Sequence, residues 1–208
     1  MILYFPSLVF MRLAFALTGG IACGKSMAEA FFEACGCRVL DADKVVRDLE
    51  SAGGAAVVPI VAQFGQEVLA ADGGIDRQAL AAKVFADADA RGRLERIVHP
   101  LVRSATEAWL QEARDDEVSI FSAALLFECG WEKAWQGVVC VRASRETQVR
   151  RMCQVRQMTP AAAVARLDAQ MAVDEKARRA NWILENDSDD PVALQRQVED
   201  LVACWKRY

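Results

Sequence analysis

Short unbroken apolar runs and longer, helically spaced stretches alternate along this chain. Residues 13–18 (Leu-Ala-Phe-Ala-Leu-Thr) form an apolar run that reads as a buried parallel strand, and residues 27–34 are rich in helix formers. Residues 38–43 read as a short strand ending in two carboxylates, Asp41 and Asp43, with the next helix starting near Asp43 and carrying Lys44 and Arg47. Residues 51–96 read as helical and distinct. Gly53-Gly54 and Pro59 mark their entry, a turn at residues 71–74 splits them, and Ile75, Leu80, Val84 and Phe85 are spaced as apolar helix positions. His99-Pro100 is expected to open a further helix that runs through Trp109 and Leu110. Residues 118–127 read as a buried central strand with Glu128 at its carboxyl end, and residues 137–141 as another strand. Residues 144–179 are charged and helical with a break at Thr159-Pro160; residues 182–186 form a last short strand and residues 191–205 a closing helix. Alternating strands and helices predict an α/β fold on a parallel sheet.

Composition narrows this picture. At 208 residues, 53% hydrophobic, the chain can bury one sizeable core. A net charge of −4 with no basic tail argues against a nucleic-acid binder. The seven cysteines are irregularly spaced, with no C-x-x-C pair, and His99 is the single histidine. That excludes a zinc site of ordinary spacing and points to reduced thiols in the cytoplasm. Residues 1–10 are almost wholly apolar, but they lack a basic leader region, contain Pro6 and are too short to cross a bilayer. They read as an N-terminal extension rather than an anchor, and no membrane partner is expected. The five tryptophans (Trp109, Trp131, Trp135, Trp182, Trp205) read as packing residues.

The candidate chemistry lies between the first strand and the first helix. Gly19-Gly20-Ile21-Ala22-Cys23-Gly24-Lys25-Ser26 fits the phosphate-binding loop pattern G-x-x-x-x-G-K-[ST]. Its glycines permit a tight turn, its successive amides form an anion nest, and the following helix adds positive potential. Lys25 is placed to reach the β- and γ-phosphates of a bound nucleotide, and the Ser26 hydroxyl to bind Mg²⁺. In such sheets functional groups gather at the carboxyl ends of the strands, so Asp41 and Asp43 are placed to face the phosphates. Asp43 could equally cap the next helix. Positive charge is concentrated in Arg142, Arg145, Arg150, Arg151 and Arg156, which is either a solvated helix face or a phosphate clamp.

Several separated blocks, taken in order, resemble the dephospho-CoA kinase family. They are Leu17-Thr18-Gly19-Gly20-Ile21 leading to Gly24-Lys25-Ser26; Asp41-Ala42-Asp43-Lys44 with Arg47; Phe64-Gly65; Asp72-Gly73 with Ile75-Asp76-Arg77; Val84-Phe85; His99-Pro100-Leu101; Leu125-Leu126-Phe127-Glu128; Gln148 with Arg151; Arg166 with Ala169-Gln170-Met171; and Asn186. The resemblance implies a P-loop nucleoside-triphosphate hydrolase-type three-layer fold with a five-stranded parallel sheet. It implies a core of residues 11–50, 97–143 and 180–208, a helical acceptor insert at 51–96 that would bind the CoA precursor, and a lid at 144–179. The implied reaction moves the γ-phosphoryl group of ATP to the ribose 3′-hydroxyl of dephospho-CoA, with Mg²⁺ and with no obligate protein partner.

On this resemblance Gly20, Ile21, Ala22, Cys23, Gly24, Lys25, Ser26 and Met27 hold the nucleotide, joined by Arg151 from the lid and by Asn186 near the adenine. Asp43 orients the acceptor hydroxyl and takes its proton, because a carboxylate beside bound Mg²⁺ stays ionised. Arg47, Arg77, His99 and Glu128 accompany Asp43 at the acceptor. Arg145 and Arg150 read as surface charges. The chain departs from the family pattern at Ala22 and Cys23 inside the loop, where Cys23 adds an oxidisable thiol, and at Met27, Ala124, Val155 and Asn181. A small kinase of nucleoside monophosphates or alcohols would share the core and lid. A GTP switch would need an N-K-x-D motif, which the chain lacks. A dead scaffold is disfavoured by the intact Lys25, Ser26 and Asp43.

Overall fold

A computed structural model describes residues 13–85 and 87–207. The expected extension at residues 1–10 lies outside the described residues. The described residues divide into two compact units, those up to residue 40 together with those from residue 113 onward, and Asp41–Glu112.

The first unit is built on a five-stranded sheet. Its strands are β1 (Ala14–Gly19), β2 (Arg38–Asp41), β3 (Ser119–Ser122), β4 (Val138–Arg142) and β5 (Trp182–Glu185), in the order β2-β3-β1-β4-β5. The pairings of β1 with β3, β1 with β4 and β4 with β5 are all parallel. All six residues of β1 are buried, as a central strand covered on both faces requires. Helices α1 (Lys25–Ala34) and α9 (Pro191–Trp205) pack Phe32 and Trp205 against Phe15 of β1, with the Phe15 and Trp205 rings stacked at 3.9 Å. Trp131, Trp135 and Trp205 are buried, and Phe121 stacks on Trp135 at 4.7 Å. The charged region folds as α6 (Arg145–Arg156), α7 (Pro160–Asp168) and α8 (Val173–Arg179), and Thr159 caps α7 just before Pro160. β3 is shorter than the apolar run suggests. It stops at Ser122, and the chain then turns through residues 124–130, so Glu128 sits in a turn rather than at a strand end.

The second unit holds α2 (Ala42–Glu50), α3 (Val57–Phe64), α4 (Arg77–Phe85) and α5 (Ala88–Gln111). A short antiparallel bridge, Leu69 with Ile75, closes the Asp72-Gly73-Gly74 turn, and Gly73 sits at φ 87°. Ile75 and Leu80 are buried, but Phe85 is 81% exposed and lies off the apolar face expected for it. The expected helix start at His99-Pro100 is also corrected. α5 begins at Ala88, with the Asp87 carboxylate accepting from the N–H groups of Asp89 and Ala90. It then runs straight through Pro100. The buried stripe Val98, Val102, Thr106 and Leu110 repeats every four residues, and its packing outweighs the one backbone bond that proline removes.

Candidate functional site

The phosphate loop joins β1 to α1. Gly24 takes the left-handed conformation, φ 95° and ψ 24°, at the N-terminus of α1, which has no side-chain cap. The first amides of α1 are thus left for an anion, as the motif demands. Ala22 is also left-handed, at φ 57°, a strained setting for a residue with a Cβ.

Three consecutive loop carbonyls are held from outside. Gln148 Nε2 donates to Ile21 O at 2.7 Å, Arg151 Nη1 to Ala22 O at 3.3 Å, and Asn186 Nδ2 to Cys23 O at 2.8 Å. In a planar trans peptide the C=O and the next N–H point in opposite directions. Drawing the Ile21 and Cys23 carbonyls outward therefore turns the Ala22 and Gly24 amides to the inner side of the loop, while Cys23 N–H bonds Gly20 O at 3.2 Å. Gln148 and Asn186 are both 4% exposed, so these braces are rigid. Asn186 thus meets the loop through its side-chain amide.

Arg151 also donates to Ser188 O at 2.8 Å, which fixes the guanidinium between the loop and the segment after β5. Arg150 forms two bonds to Asp189, at 2.7 and 3.0 Å, and is the surface charge expected. Arg145, expected in the same role, is exposed and paired to Asp168 at 2.7 Å, yet it also lines a cavity of about 300 Å³. Gly20, Ile21, Gln148, Met171 and Asp174 line that cavity too. Ser144 caps α6, and its N–H donates to Asp187 at 2.7 Å, holding that carboxyl below the usual range.

Lys25 Nζ donates to Glu29 Oε1 at 2.6 Å and to Ser122 Oγ at 2.8 Å, and the Ser122 hydroxyl donates to the same Glu29 oxygen. Ser26 and Met27 are exposed on the first turn of α1. The Ser26 hydroxyl is a hard oxygen donor suited to Mg²⁺. No group of three His, Cys, Asp or Glu side chains among the described residues could hold a metal without help from a ligand. A cation shared between this hydroxyl and nucleotide phosphates fits that donor set.

Cys23 is corrected as an oxidisable loop thiol. It is fully buried, and burial pushes its pKa up to about 11, so the reactive thiolate is scarce at neutral pH. No disulfide joins any of the seven cysteines. Glu128 Oε1 pairs with Lys176 Nζ at 2.8 Å and accepts the Met171 N–H at 3.3 Å. Lys176 is fully buried and also donates to Ala124 O at 2.5 Å. Arg179 lies over the Phe127 ring at 4.3 Å and pairs with Glu132 at 2.7 Å. This cluster ties α8 to the turn after β3.

The remaining expected site residues lie in the second unit. Asp41, rather than Asp43, caps α2, its carboxylate accepting the Asp43 N–H at 2.9 Å; the Asp43 side chain is exposed. Arg47 faces Asp41 at 3.5 Å. Arg77 Nε donates to Glu50 at 2.9 Å, and burial raises the Glu50 pKa despite that partner. His99 lies inside α5, half-buried, and burial lowers its pKa. Asp43, Arg47, Arg77 and His99 thus share one unit, while Lys25, Ser26, Arg151, Asn186 and Glu128 share the other. Glu29, Ser122 and Lys176 carried no motif. A glutamate within a helix, a serine in an apolar run and a lysine in a charged stretch look ordinary in sequence.

The family model for dephospho-CoA kinase matches residues 13–191. The dephospho-CoA kinase of Geobacter sulfurreducens is 42% identical over 189 residues, 90% of this chain and 95% of that protein. That of Anaeromyxobacter dehalogenans is 43% identical, over 90% of this chain and 89% of its own length. Among solved structures, a Thermus thermophilus protein superposes with a TM-score of 0.79 at 33% identity, covering 92% of this chain and 97% of its own. Campylobacter jejuni dephospho-CoA kinase shares the fold with a TM-score of 0.63 at 23% identity, over 95% of this chain and all of its own. Sequence, loop geometry and these likenesses agree, and the chain belongs to the dephospho-CoA kinase family.

Proposed function

We propose that this protein transfers the γ-phosphoryl group of ATP to the ribose 3′-hydroxyl of dephospho-CoA, the last step of coenzyme A synthesis. The observation that supports it best is the bracing of three successive loop carbonyls by Gln148, Arg151 and Asn186. A phosphate cradle is thereby set before the nucleotide arrives, and preorganised donors are the main currency of phosphoryl transfer. Gly20 to Met27 hold the phosphates, and Lys25 and Arg151 supply positive charge to the transferring group. Ser26 would hold Mg²⁺, which would neutralise phosphate charge when bound. Asp43 orients the acceptor hydroxyl and takes its proton. It follows the end of β2 by two residues, and the capping duty there falls to Asp41.

Residues 144–179 act as the lid over ATP, and residues 51–96, with Arg47, Arg77, His99 and Glu128, as the acceptor side. Closure would exclude the water that otherwise wastes ATP. No helix of the described residues is long and apolar enough to cross a membrane. We place the enzyme in the cytoplasm, acting on small molecules without an obligate protein partner. ADP release from Mg²⁺-ATP, compared with dephospho-CoA, AMP, shikimate, gluconate and no acceptor, tests this reading. Stimulation by dephospho-CoA alone is expected. Stimulation by AMP or a small alcohol instead overturns the acceptor assignment.

A further inference from the structure

The Lys25 ammonium rests in a pocket of oxygens made by Glu29 Oε1 and Ser122 Oγ, with Ser122 also bonded to that carboxylate. Both charged side chains are only 13% exposed, so each charge depends on the other. P-loop phosphotransferases share their Mg²⁺ between the loop hydroxyl and a carboxylate. Among the other carboxylates near the loop in the first unit, Asp174 is 77% exposed and pairs with Arg142 at 3.6 Å. β3, which lies beside the loop strand, ends in Ser122 and brings no acid. Glu128 is engaged by Lys176 and by the Met171 N–H. Glu29 reaches both the loop lysine and the end of β3, and it starts from the same helix as Ser26, one turn on.

We propose that Glu29 is the metal-side carboxylate of this kinase, and that Lys25 holds its place until the nucleotide arrives. This inference rests on the ATP-binding reading above. When phosphates draw the ammonium away, Glu29 is left as a shielded negative charge facing an anionic ligand. A divalent cation removes that repulsion and the desolvation cost together. Metal-free ATP must instead break the Lys25–Glu29 pair with nothing to replace it. Glu29 therefore makes nucleotide binding depend on the metal, and Ser122, bonded to the same oxygen, keeps the carboxylate oriented.

Calorimetric titration of ATP into the full chain, once with excess Mg²⁺ and once with EDTA, reads this coupling as a ratio of dissociation constants. The wild type is expected to bind Mg²⁺-ATP at least tenfold more tightly than free ATP. In Glu29→Gln, which keeps the size and an oxygen for Lys25, the ratio should fall at least fivefold, chiefly because free ATP binds better. Glu29→Asp retains the charge with shorter reach and should lie between the two, which provides a second reading if Glu29→Gln folds poorly. Glu33→Gln, an exposed acid on the same helix, controls for helix charge and should match the wild type. A ratio unchanged within twofold in Glu29→Gln, or changed equally in Glu33→Gln, overturns the inference while leaving the kinase reading intact. Failure of the wild type to bind ATP in either condition overturns both.

Discussion

The Asn186 carboxamide donates to the Cys23 carbonyl at 2.8 Å, so the residue just after β5 holds the phosphate loop between β1 and α1 in place. The same amide crowds Gly24, where an added Cβ would sit 2.2 Å from Asn186 Nδ2 at a φ of 95°. Loop and brace are therefore one unit. Asn186→Ala leaves a carbonyl next to a fully buried residue without its donor, at a cost of about 2 kcal/mol. It should lower the melting temperature and weaken ATP binding together, as thermal unfolding with and without Mg²⁺-ATP will read.

Asp43→Asn should reduce kcat roughly 100-fold or more, the usual loss when a general base goes. The ATP dissociation constant should stay within about threefold, because Asp41, not Asp43, is the N-cap of α2. Single-turnover kinetics beside a binding titration separate the two. Unchanged turnover would remove Asp43 from the mechanism.

Among the described residues Lys176 is a charged side chain sealed fully inside the protein, and its removal should be costly. Lys176→Met strands the Glu128 carboxylate and should destabilise by ~3 kcal/mol, the low end for a broken buried pair because Glu128 retains 24% exposure. Adding Glu128→Gln should recover part of the loss. Urea unfolding of both variants beside the wild type gives the answer, and equal stability of the single and double variants would show that the stranded Glu128 carboxylate is not the source of the loss.

His99 should titrate below its ordinary value, since burial disfavours the charged ring and the neighbouring Glu95 only partly offsets this. The sign follows. Between the folded pKa and about 6.5 the unfolded chain binds the extra proton, so stability rises with pH across that window and is lost on acidification. A single histidine makes the folded pKa directly readable by NMR. A value at or above 6.5 would contradict the burial of the ring.

Much of this was legible in the chain itself. The loop motif, the apolar runs of β1 and β4 and the closing helix α9 stand where the pattern of residues put them, because parallel core strands and glycine turns leave strong local signals. α5 starts earlier than expected because a proline is locally a signal for the first turn of a helix. The stripe of Val98, Val102, Thr106 and Leu110 is a tertiary reason to continue. β3 is shorter than its apolar run because the turn after Ser122 is also made of apolar residues, held by Lys176 from far along the chain. The braces at Gln148 and Asn186 join residues more than a hundred positions apart, and only folding reveals what they hold.

The seven thiols differ in access, and that difference has a practical consequence. Cys204 is the exposed one, on the closing helix, whereas Cys23 lies shut inside the phosphate loop with its proton firmly held. Brief treatment with iodoacetamide at pH 8 should label Cys204 and spare Cys23, as peptide mass mapping will read. An ageing preparation would then accumulate cross-linked pairs through its terminal helix while each copy kept its grip on ATP. A dye attached at Cys204 would offer a handle for following the enzyme without blunting its chemistry.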